Sequence, residues 1–143
     1  MTVPPIAPFG LHHLAIQCGD LPTMVRFYER VLRLRVERRW PSDRPVDRGG
    51  DRSVWLRLGT GVLALERCDG GPQAAPWQSS EPGFHLLALE IHWQNRAVWR
   101  EHLQACGVEI VFESAWTLYV RDPEGNRVGL SHFPFDVDGV RMA

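Results

Sequence analysis

One order of elements is written twice along this chain of 143 residues, and that repetition constrains the fold more than any other feature. Leu11–Cys18 (LHHLAIQC) alternates as a strand, with His13, Ala15 and Gln17 on one face and Leu14, Ile16 and Cys18 on the other. Gly19-Asp20 ends it, and Asp20 with Pro22 signals a helix start. The helix is expected to run to about Leu32, with Val25, Tyr28 and Leu32 facing a core. Strands are expected at about Arg33–Trp40, Ser53–Leu58 and Val62–Arg67. The same order returns 72 residues later, counted from His13 to His85. It comprises a strand Phe84–Ile91, a helix Gln94–Cys106 stopped by Gly107, and strands at about Glu109–Phe112, Thr117–Arg121 and Asn126–His132. Between the two copies, Asp69–Gly83 holds three Gly and three Pro without periodicity and reads as a linker.

The expected class is therefore α+β: two βαβββ modules, about residues 11–68 and 84–132, joined by linker 69–83 within a single domain 1–143. Each module has one sheet face that needs cover. Two such modules can enclose a shared cleft, with His13 and His85 facing each other across a pseudo-twofold axis.

Composition narrows the chemistry. All 16 basic residues are Arg, so Schiff-base catalysis and a GK[ST] phosphate loop are excluded. Neither a GxSxG elbow nor a GxGxxG fingerprint occurs. A net charge of −1 gives no global attraction to nucleic acid or anionic membrane. No apolar run approaches the roughly 18–20 residues that span a bilayer. MTVPPIAPFG shows neither a basic n-region nor an h-region, so no signal peptide is expected. Three cysteines without a CxxC spacing point to a reducing, cytoplasmic setting rather than to a disulfide scaffold. Arg33–Arg57 carries eight Arg against four acids, readable as an anion-attracting mouth or as a solvated, ion-paired face.

Three stretches together carry a resemblance: LHHLAIQCGDLPTMVRFYERVLRLR (11–35), FHLLALEI (84–91) and DPEGNRVGL (122–130). In that order and spacing the chain resembles the vicinal oxygen chelate superfamily of glyoxalases, bleomycin-resistance proteins, fosfomycin-resistance enzymes and extradiol dioxygenases. The resemblance implies a cleft metal held from both sheets. His13 and His85 match the first strands of the two modules, and Glu66 lies at or near the carboxylate position of the fourth. Gly129 stands where metal-dependent members carry Glu.

Two imidazoles and a carboxylate suit Zn²⁺, Ni²⁺, Mn²⁺ or Fe²⁺ and leave positions for vicinal substrate oxygens. The implied activity is a lyase or isomerase that stabilises an oxyanion or enolate, with Glu66 as ligand and proton carrier. By its own pattern Glu66 is either inward-facing or a solvated strand-end acid. Thr117 and Tyr119 share a strand face, as substrate-binding residues do in fosfomycin-resistance enzymes, or serve as core. Trp55 is placed to meet a planar or apolar ligand. The alternative function is a metal-free drug- or metabolite-binding protein like the bleomycin-resistance members. Either version implies a small-molecule partner and a homodimer.

Overall fold

The computed structural model describes residues 6–8, 10–70, 80 and 82–142. The chain divides into two compact units, residues 1–71 and 72–143, each considered by itself. Most of the linker expected at 69–83, and residues 1–5, 9 and 143, lie outside the described residues.

In the first unit, β1 (His13–Cys18) leads into α1 (Leu21–Arg26). Asp20 caps the helix, its carboxylate accepting from the Thr23 amide (3.2 Å) and hydroxyl (2.7 Å). Those two bonds hold the Asp20 carboxyl below its ordinary pKa. The helix expected to stay α-helical to Leu32 widens after Arg26 into a π-helical turn, Phe27–Val31. That turn buries Phe27 and Tyr28 side by side, their rings edge-to-face at 5.4 Å. Strands β2 (Val36–Pro41), β3 (Asp51–Leu58) and β4 (Gly61–Arg67) follow. The sheet order is β1-β4-β3-β2, with β1 and β4 parallel and the other pairs antiparallel.

The second unit repeats this plan. Strand β5 (Leu87–Glu90) is followed by a short 3₁₀ turn (Trp93–Asn95) and α2 (Arg96–Ala105). Then come β6 (Phe112–Glu113), β7 (Thr117–Arg121) and β8 (Arg127–Ser131). The order is β5-β8-β7-β6, again with only the first pair parallel. This is the same strand order as in the first unit, so the repeat read from the sequence is structural. Gly107 ends α2 at φ +70°, a left-handed conformation that costs glycine little, and its amide donates to the Gln104 carbonyl. Strand β5 is shorter than Phe84–Ile91 because its ladder with β8 begins only at Leu87↔Val128, and Phe84 is fully exposed.

Each sheet presents one face to its helix. In the first unit Cys18, Val54, Leu56, Leu63 and Leu65 are buried together with Leu21, Met24, Val25, Tyr28 and Leu32 of the helical segment. In the second, Leu89, Leu118, Val120, Val128 and Leu130 are buried, as is Leu103 of α2. Each such side chain contributes about 1.5–3 kcal/mol. The turn Asp122–Gly125 is organised by a buried carboxylate. Asp122 accepts from the amides of Glu124 (3.0 Å) and Asn126 (2.9 Å) and from Asn126 Nδ2 (2.8 Å). Outside it, Arg96 and Arg100 of α2 clamp Glu113 of β6.

Candidate functional site

The open face of each sheet is fixed by strand pairing, because side chains on paired residues share a face. On the first sheet this gives three rows running across the strands. One row is Gln17–Glu66–Ser53–Trp40. The next is Ala15–Ala64–Trp55–Arg38, and the third begins His13–Val62–Arg57. Aromatic rings stand over this face. The His13 imidazole stacks on Trp55 at 6.1 Å and 13°, and Trp40 meets Trp55 edge-on at 5.7 Å. The Arg38 guanidinium lies over the Trp40 ring at 3.9 Å. His12 is exposed and turns its ring to His13, with the two Nδ1 atoms 2.8 Å apart. One Nδ1 donates and the other accepts, so both are committed and each ring keeps only its Nε2 for another partner. Trp40, Arg52, Ser53, Trp55, Glu66 and Arg67 line a pocket of about 360 Å³.

On the second sheet the open face carries Ala88, Gly129, Ser131, Thr117 and Tyr119. Thr117 is buried and its hydroxyl donates to Ser131 Oγ at 2.9 Å. Tyr119 packs against Phe112 at 5.6 Å. A Cβ placed on Gly129 would sit 3.0 Å from Thr117 Cγ2 and 3.6 Å from Leu86 Cδ1. Leu86 is therefore the residue beside Gly129. His85 precedes the strand, is exposed, and shares its Nδ1 with the Arg127 guanidinium at 2.9 Å.

The two units can be compared rung by rung. Ala15 pairs with Ala64 in the first, and Ala88 pairs with Gly129 in the second. Two residues before each first-strand alanine stand His13 and Leu86. The four equivalent positions are thus His13, Ala64, Leu86 and Gly129, a set with one metal donor. Glu66 shares the open face with His13 but lies four residues further along, roughly 13 Å at the strand rise of about 3.3 Å per residue. The Trp55 row lies between them. Among the described residues, no three His, Cys, Asp or Glu side chains gather as a metal cluster does. Within the first unit, His13 and Glu66 do not come together as ligands of one ion.

Of the eight Arg in the basic stretch Arg33–Arg57, three form ion pairs among the described residues. Arg39 binds Asp51 at 2.6 Å, Arg44 binds Asp69 at 3.0 Å, and Arg57 binds Glu37. The sequence reading named Trp55 but not Trp40, Ser53, Arg38 or the Ala15–Ala64 pair beside it. Those emerge only from the register of β2 against β3, which contains an irregularity between Val36 and Arg38.

Comparison with known proteins places this architecture. A family model described as Glyoxalase/Bleomycin resistance protein/Dioxygenase superfamily matches residues 10–130, most of the chain. The chain belongs to this superfamily. Solved structures similar to this member include a glyoxalase/dioxygenase from Nostoc punctiforme, at TM-score 0.71 and 18% identity, covering 91% of this chain and 97% of that one. The fosfomycin resistance protein FosX from Listeria monocytogenes matches at TM-score 0.66 and 15% identity, over 88% and 92% of the two chains. A lactoylglutathione lyase from Agrobacterium tumefaciens matches at TM-score 0.60 and 20% identity, over 88% and 95%. At these identities the likeness is one of fold. No curated protein sequence matches the chain. Among the described residues, no helix is long and apolar enough to cross a membrane.

Proposed function

We propose that this superfamily member is a metal-independent small-molecule binding protein whose ligand lies flat on the open face of the first sheet. One observation carries the reading. The rung positions that would supply carboxylates are the methyl of Ala64 and the bare Cα of Gly129, while the wall beside Ala64 is Trp55 and Trp40. Ala64 is itself buried, and the indole rings of Trp55 and Trp40 make an apolar wall for a planar molecule. Arg38 and Glu66 supply polar groups at two sides of that wall. Tyr119 is the corresponding candidate contact on the second sheet. Glu66 in this reading touches ligand and moves no proton.

The competing reading is the metal-dependent lyase or isomerase with His13, His85 and Glu66 as ligands. It draws support from the superfamily and from His13 alone among the four rung positions. We further propose a cytoplasmic homodimer, on the three free cysteines and the superfamily's habit. The test is a pair of titrations on chelator-dialysed protein. A flat aromatic probe such as quinoline should quench tryptophan fluorescence equally with and without EDTA. Zinc or nickel should bind no more tightly to the wild type than to His13→Ala. Metal binding that His13→Ala abolishes, with no aromatic binding in its absence, would return the enzyme reading to the lead.

A further inference from the structure

The row Gln17–Glu66–Ser53–Trp40 holds polar groups that the protein leaves unused. Ser53 is 5% exposed, and its hydroxyl is buried with no hydrogen-bond partner among the described residues. The indole Nε1 of Trp40, its cross-strand neighbour, is buried and equally unpartnered. Buried donors in this condition are rare in native proteins and call for an explanation. On the other side of Ser53, Glu66 is exposed and forms no ion pair among the described residues. All three side chains line the same pocket, of which Trp55 forms the adjoining wall. Arg67, also in that wall, is already engaged, its Nε donating to the Asp51 carbonyl at 2.8 Å.

We propose that this row reads the lactam edge of a flat heteroaromatic ligand, an N–H adjacent to a C=O in one ring. The carbonyl would accept from Trp40 Nε1–H and from the Ser53 hydroxyl, and the ring N–H would donate to the Glu66 carboxylate. The ring itself lies against Trp55. Other ligand chemistries fit worse for stated reasons. A ligand carboxylate satisfies the two donors but meets the Glu66 charge. A cation satisfies Glu66 and leaves the two donors buried without a partner. A plain aromatic leaves all three unmet. The inference rests on the proposed small-molecule site on this face, and it adds the class of ligand.

The experiment uses the full chain and three probes with one bicyclic frame: quinolin-2(1H)-one, which has the lactam edge, N-methylquinolin-2-one, which lacks the N–H, and quinoline, which lacks both the N–H and the carbonyl. Affinities are measured by calorimetric or NMR titration. The lactam is expected to bind at least tenfold more tightly than either of the others. Ser53→Ala and Glu66→Ala should each remove most of that preference. Ser53→Ala should also leave the melting temperature of the free protein unchanged or raised, because it deletes a buried hydroxyl with no partner, whereas loss of a structural hydroxyl would lower it. Equal binding of the three probes, or a lactam preference that survives both substitutions, overturns the inference while the small-molecule reading stands. Failure of all three to bind overturns both.

Discussion

Replacing Gly129 by alanine puts a methyl where the second sheet has closed its packing, and the cost can be worked from the contacts. A glycine in mid-strand is worse than alanine by about 0.5–1 kcal/mol through backbone entropy, so the exchange begins with a gain of that size. Against it, the new Cβ falls 3.0 Å from Thr117 Cγ2, inside ordinary van der Waals distance. Thr117 does not turn away freely, since its hydroxyl is bonded to Ser131 Oγ at 2.9 Å and the residue is buried. Overpacking of this kind costs about 1–3 kcal/mol, which leaves a net loss of roughly 0–2.5 kcal/mol. For a chain of this size that lowers the melting temperature by roughly 2–4 °C per kcal/mol.

A double-mutant cycle isolates the cause. Thr117→Ser deletes Cγ2 and keeps the hydroxyl, so Gly129→Ala made in that background should be neutral or stabilising. Urea denaturation of the four proteins should then give a coupling of about 1 kcal/mol or more. An equal loss in both backgrounds, or a gain on adding the methyl to the wild type, would refute the account of why this position is bare.

Two further perturbations test the frame around the site. Asp122→Ala strands the amides of Glu124 and Asn126 in a buried turn and should cost about 2–4 kcal/mol by chemical denaturation; a loss under 0.5 kcal/mol would show that this carboxylate does not organise the turn. The Glu113 carboxyl is pulled from 4.5 to about 2, first by its bond to Arg100 and then by Arg96. For a depressed acid the stabilisation is present above the unfolded value, near pH 4.5, and drains away as pH falls toward 2. Glu113→Gln should therefore be less stable than wild type at pH 7 and equal to it near pH 2, and a difference independent of pH would remove the ion-pair explanation. The gap at pH 7 should be small, because this pair is solvent-screened.

The sequence alone determined the plan of this molecule. Alternation in Leu11–Cys18, the Asp20 cap, the Gly107 stop and the DPEGN turn are local signals, and each acts within a few residues. Their repetition 72 residues apart was enough to specify two βαβββ units with one strand order, because the elements that must pair are set by length and period. Tertiary structure alone decided which side chains stand together. Strand geometry repeats every two residues, so a shift of one residue moves a side chain to the opposite face. In the second unit the β5–β8 ladder places Ala88 opposite Gly129, and Leu86 rather than His85 beside it. In the first unit the β1–β4 ladder sets Val62 beside His13 and carries Glu66 four residues away. The row joining Trp40, Ser53, Glu66 and Gln17 draws on four strands spread over 50 sequence positions. No local pattern carries that information, because register across a sheet is set by the combined packing of all its strands on the helix below.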